Sequence, residues 1–162
     1  MNPEFKIRTE VKTEDLDRVR EIVTSTNFFH DYEIDVAIEL VQENLAKGNE
    51  SGYIFLFVEA EGKTIAYSCF GLIPCTESSF DLYWIVVHND YRGFGIGKKL
   101  LAITEKAITK MGGTAVYAET SSQEKYDSTR KFYLSNNYRE EAGLKDFYSP
   151  GDDKLIYVKR LN

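Results

Sequence analysis

The chain has 162 residues, 43% hydrophobic and 28% charged, with a formal net charge of −6. A chain of this length buries a core without help from disulfides or metals, and an acidic balance argues against generic nucleic-acid binding, which shows a basic surface. No run approaches the ~20 apolar residues of a membrane span, and the opening MNPEFKIRTE carries no apolar core of the signal-peptide kind. We therefore expect one domain over residues 1–162, no membrane or nucleic-acid partner, and a cytoplasmic setting.

In chain order, FKIR reads as a short strand. KTEDLDRVREIVTST reads as a helix with Leu16, Val19, Ile22 and Val23 at helical spacing and Thr13 as its N-cap. The loop NFFHDYE leads to a second helix holding Ile34, Ala37, Ile38, Val41 and Leu45, which KGNESG ends. Three strands follow: YIFLFVEA and TIAYSCFGLI, joined by the hairpin-type link EGK, and then SSFDLYWIVVH. Beyond the glycine-rich YRGFGIGKKLL, Ile96, Leu100, Ile103, Ala107 and Met111 mark one long amphipathic helix, closed by MGGT. TAVYAETS is a strand, KYDSTRKFYLSN a short helix, and YREEAGL and KLIYVKRL are two final strands. The order β-α-α-β-β-β-α-β-α-β-β predicts a single-domain α/β fold, a mixed central sheet with helices on both faces. The final strands could supply an exposed edge for a homodimer.

Glycine costs a helix about 1 kcal/mol relative to alanine, yet three stand within five positions where this long amphipathic helix begins. A strand entering a helix through such a turn makes an anion site. The first amides of the helix lack intrahelical partners and carry the positive end of its dipole. Gly93, Gly95 and Gly97 let the backbone curl into a nest, while Arg92, Lys98 and Lys99 add local positive charge. The dinucleotide fingerprint fails, because the sixth position from Gly93 is Lys98; the P-loop fails because Arg92 and Lys99 stand where it needs glycine and a hydroxyl.

R-x-x-G-x-G does fit, as Arg92, Gly95 and Gly97, and this segment resembles the acetyl-coenzyme A motif of the GNAT superfamily of N-acetyltransferases. STRKFYLSNNY is similar to a second family segment, A-x-x-L-Y-x-x-x-G-F, with Phe132 and Tyr133 at its L-Y pair. Thr129, Asn137 and Tyr138 depart from it, and Asn137 keeps the left-handed tolerance of the glycine it replaces. The resemblance implies that the backbone of Arg92, Gly93, Phe94, Gly95, Ile96, Gly97 and Lys98 holds the pyrophosphate of acetyl-coenzyme A. It also implies that Ile85, Val86 and Val87 offer peptide groups to the pantetheine arm as an added strand would.

Acyl transfer to an amine expels a thiolate, and a phenol can protonate it. The family's equivalent tyrosine has that role, which the resemblance carries to Tyr133. A protonated amine must also lose a proton. Glu119 falls on the base of the ribosomal-protein N-terminal acetyltransferase-like branch, the nearest in motif, and Asp81 is the competing carboxylate. Cys69 and Cys75 read as small buried fillers, and His30 and His88 lack metal-ligand spacing, so no metal is expected. The implied activity is direct acetyl transfer from acetyl-coenzyme A to a primary amine of a small molecule or peptide. The alternative is a non-catalytic acyl-coenzyme A sensor of the same fold. NFFHDYE, with Asp31 and Glu33, would flank the acceptor.

Overall fold

The computed structural model describes residues 4–162. The elements are β1 (Lys6–Arg8), α1 (Asp15–Ser25), α2 (Asp31–Lys47), β2 (Ile54–Ala60), β3 (Lys63–Leu72), β4 (Ser79–Val87), α3 (Ile96–Lys110), β5 (Ala115–Ser121), α4 (Asp127–Ser135), β6 (Arg139–Ser149) and β7 (Asp152–Arg160). Their order is the one expected from the sequence. The seven strands follow one another across the sheet as β1-β2-β3-β4-β5-β7-β6. The described chain packs as two compact units: residues up to Gly71 with Trp84–Thr104, and Leu72–Tyr83 with Glu105–Asn162.

In the first unit, Val19, Ile22 and Val23 of α1 and Ile34, Ala37, Ile38 and Val41 of α2 bury against Phe55, Phe57, Tyr67 and Cys69. Side chains alternate along a strand. Ser68, between Tyr67 and Cys69, accordingly points the other way and meets the Thr104 hydroxyl of α3 at 2.8 Å. That alternation sets α1 and α2 on one face of β3 and α3 on the opposite face. β2 and β3 join through Glu61 and Gly62, both at positive φ (50° and 77°), the two-residue turn whose twist suits a hairpin.

Thr13 does not cap α1. Glu14 occupies that position, and the Asp15 carboxylate turns back to accept from the Lys12 amide at 2.7 Å and from Arg8. A buried guanidinium needs a carboxylate, and that demand outweighs the local preference for a threonine cap. The expected loop NFFHDYE also ends early: Asp31, Tyr32 and Glu33 already belong to α2, because the Glu33 carboxylate accepts from the His30 amide at 2.8 Å and closes the first turn.

In the second unit, Gly113 follows α3. A Cβ there would lie 2.3 Å from Ile108 Cγ2 and 2.9 Å from Phe80 Cδ2, so only glycine permits this approach of backbone to core. The chain then enters β5, with the Thr114 amide donating to the Ser78 carbonyl at 2.9 Å. The last two strands form an antiparallel hairpin, and β6 is exposed throughout. Cys69 is buried as expected, whereas Cys75 is exposed at a turn with φ 65°; both are free thiols. No helix of the described residues is long and apolar enough to cross a membrane.

Candidate active site

The glycine-rich turn lies in the first unit. Gly93 and Gly95 take φ of 85° and 74°, the left-handed region that L side chains avoid. An added Cβ at either would meet nothing within 4 Å, so the space over the turn is open. Gly97 differs: it already belongs to α3, whose first i→i−4 bond runs from the Lys99 amide to the Gly95 carbonyl at 3.1 Å. The amides of Ile96, Gly97 and Lys98 precede that bond and carry the positive end of the helix. Ile96 is buried and anchors the turn, while the Phe94 ring is exposed. Arg92, Lys98 and Lys99 are exposed. An open, glycine-walled turn with helix-start amides and three cations fits a diphosphate.

Among the strand residues singled out, Val86 is buried, and Ile85 and Val87 are half-buried. The parallel β4–β5 ladder holds three pairs, Ser79–Ala115, Phe80–Val116 and Asp81–Tyr117. Ile85, Val86 and Val87 take no part in it.

Tyr133, Asp81 and Glu119 all belong to the second unit. Tyr133 is buried on α4, its ring 5.3 Å from Tyr138 and 5.9 Å from Tyr157, stacked on the latter. Burial pushes its phenol above the ordinary value of 10.0, so it keeps its proton throughout the physiological range. The helix ends just beyond it. The Asn137 amide donates to the Leu134 carbonyl at 3.2 Å and the Tyr138 amide to the Tyr133 carbonyl at 3.1 Å, with Asn137 at φ 69°. Asparagine thus does the helix-closing work of the glycine it replaces. The Tyr138 hydroxyl, which a phenylalanine would lack, donates to Glu105 at 3.1 Å, and Glu105 also binds Lys159 at 2.8 Å. The sequence alone does not show this network, because Glu105 of α3, Tyr138 of the turn before β6 and Lys159 of β7 lie far apart along the chain.

Asp81 pairs with Tyr117, and Glu119 stands two residues further along β5, on the same side of the sheet. Desolvation, followed by the charge of Glu119, pushes the Asp81 carboxyl up to about 6, against the pull of Lys154. Glu119 itself is engaged, with one carboxylate oxygen 2.6 Å from Lys154 Nζ. Lys154 was not singled out from sequence; it reaches Glu119 only through the β5–β7 register, in which Glu119 pairs with Ile156.

The raised Asp81 pKa has a consequence for stability. Well below pH 4, at about pH 2, the carboxyl is protonated in both folded and unfolded chains. As pH rises from there to about 6, the unfolded chain ionises first and the folded state loses stability relative to it. Asp81→Asn is accordingly expected to raise the melting temperature at about pH 8 and to raise it much less at about pH 4. Thermal unfolding at the two pH values checks this.

The sequence signature of the acetyltransferase (GNAT) domain matches residues 51–140. A GNAT-family protein from Desulfovibrio desulfuricans superposes with a TM-score of 0.95 at 41% identity, over 97% of this chain and 99% of that one. The ribosomal-protein-S18-alanine N-acetyltransferase of Escherichia coli shares the fold (TM-score 0.76, 17% identity, 98% and 95% of the two chains). So does the PaiA N-acetyltransferase of Thermoplasma acidophilum, a complex with coenzyme A (TM-score 0.73, 20% identity, 98% and 99%). No curated protein matches the sequence. Fold and turn together define an acyltransferase scaffold, and the chain belongs to the GNAT acetyltransferase family.

Proposed function

We propose that this chain is an acetyl-coenzyme A-dependent N-acetyltransferase acting on a primary amine of a small molecule or peptide, by direct attack within a ternary complex. The observation that carries the reading is the left-handed pair Gly93 and Gly95, with open space above them, at the start of α3. The amides of residues 93–98 and the side chains of Arg92 and Lys98 hold the diphosphate. The backbone of Ile85, Val86 and Val87 lies along the pantetheine. Acetyl-coenzyme A supplies the thioester carbonyl and the leaving thiol, a C–N bond forming as the C–S bond breaks.

Two proton transfers fall to this chain's own residues. Asp81 receives a proton from the acceptor ammonium, directly or through water, and a carboxyl near 6 returns it to solvent at neutral pH. Tyr133, protonated at working pH, gives its proton to the departing sulfur and recovers one from the amine nitrogen through solvent; one proton is released per turnover. The family resemblance points to Glu119 as the base, with Asp81 as the competing carboxylate. The ion pair of Glu119 with Lys154 favours Asp81 instead, with Glu119 as the neighbouring charge.

The test is release of free thiol from acetyl-coenzyme A across a panel of peptides, polyamines and small primary amines. Release with at least one amine, matched one-to-one by acetylated product, is the predicted result. Coenzyme A binding with no release from any amine would leave a sensor in place of an enzyme. A second prediction isolates the turn. Gly95→Ala forces an L side chain into the left-handed region at a cost of roughly 1–2 kcal/mol, and the turn escapes that strain by leaving its nest geometry. Calorimetry is expected to show coenzyme A affinity reduced about tenfold, with the fold retained.

A further inference from the structure

Lys154 is largely covered for a lysine: its side chain is 15% exposed, against 45% for its partner Glu119. Three strands build its surroundings. Glu119 of β5 binds its ammonium at 2.6 Å, and Phe147 of β6 lays its ring 4.3 Å from Nζ, a cation–π contact. On β7 itself, Lys154 pairs with Ser121 on one side and Leu144 on the other. The charges acting on Asp81 of β4 are Glu119 from β5 and Lys154 from β7, of opposite sign. The ammonium thus binds Glu119 directly and acts on Asp81 through its charge; among the described residues Asp81 has no ion pair of its own.

We propose that Lys154 is a positioning residue for acetyl transfer: held by Glu119 and Phe147, its ammonium engages the Glu119 carboxylate, so that Asp81 is the carboxylate that takes the acceptor's proton. This rests on the acetyltransferase reading. The ammonium also offsets part of the Glu119 charge felt at Asp81, and so holds Asp81 ionised at neutral pH. Without that cation, two carboxylates on one side of the sheet compete to be charged, and the one already desolvated gives way. Phe147 keeps the ammonium from swinging to solvent, which ties the last hairpin to the acid–base chemistry.

The experiment compares wild type, Lys154→Met and Lys154→Arg by the pH dependence of kcat/KM, and by carbon-13 NMR titration of the Asp81 carboxyl in the free protein. Methionine keeps the length and the contact with Phe147 while removing the charge; arginine keeps the charge. The acidic limb of Lys154→Met is expected to move up by about one pH unit, which lowers the rate roughly tenfold near pH 5 and less than twofold near pH 9. The Asp81 midpoint should move with it, and Lys154→Arg should restore both. A uniform fall in rate at every pH with the limb unmoved, or an Asp81 midpoint that stays put, overturns the proposal. A midpoint that moves while the limb does not overturns the assignment of Asp81 as proton acceptor. If the wild type releases no thiol with any amine, the acetyltransferase reading fails, and the role in transfer with it; the NMR midpoint then still decides whether Lys154 controls Asp81.

Discussion

Tyr133→Phe is expected to lower turnover by about 10²-fold while leaving coenzyme A affinity within roughly twofold of wild type. The substitution removes one oxygen and keeps the ring. That ring is buried between Tyr138 and Tyr157 and beside Phe132, at centroid distances of 5.3, 5.9 and 5.6 Å, so the packing that orients α4 survives. What is lost is a proton donor that burial keeps protonated. A thiol with an ordinary pKa of about 8.5 leaves more readily when protonated as the C–S bond breaks, the role proposed for Tyr133. The two readouts separate the roles: steady-state turnover reports the proton, and calorimetric affinity reports the binding surface. Equal turnover in the variant would remove Tyr133 from the chemistry. A parallel fall in affinity would make it a packing residue instead.

Arg8→Met is expected to cost roughly 3–5 kcal/mol of folding stability. Arg8 sits at the end of β1 and binds both Asp15 carboxylate oxygens at 2.9 and 2.8 Å, Glu59 at 2.6 Å and the Thr64 hydroxyl at 3.1 Å. Its guanidinium carbon also lies 4.3 Å from the Phe57 ring centroid. Asp15 has no exposed surface, so deleting the guanidinium leaves a buried carboxylate whose one remaining hydrogen-bond donor among the described residues is the Lys12 amide. An uncompensated buried charge is the costly outcome, whereas removing both members leaves none. Adding Asp15→Leu to Arg8→Met should therefore recover much of the loss. Urea unfolding of the two single variants and the double variant closes the cycle, and a double variant no better than Arg8→Met would contradict this account.

What the sequence revealed was largely local. The glycine turn and its helix, the Glu61–Gly62 link and the helix-closing Asn137 each depend on a few adjacent φ angles, and residue types advertise those. The element order followed because apolar periodicity is written in contiguous runs. What it concealed was set by register. Lys154 meets Glu119, and Glu105 meets both Tyr138 and Lys159, only once strands and helices far apart in the chain are aligned. The Thr13 cap failed for the same reason: Asp15 answers to Arg8, seven residues earlier and on a different element. Cys75 was expected inside because cysteine usually is, but a turn at positive φ holds it in solvent. The proposal that Asp81 rather than Glu119 accepts the proton likewise rests on a neighbour on β7, Lys154, which no local motif contains and which pairs with Glu119.

The central claim is that the amides opening α3 grip the diphosphate of an acyl-coenzyme A. Calorimetric titration of the purified chain with coenzyme A tests it most directly. The account predicts saturable binding at one site per chain, weakened by Gly95→Ala. A titration that shows no binding to wild type, by coenzyme A or by its acetyl form, would contradict it.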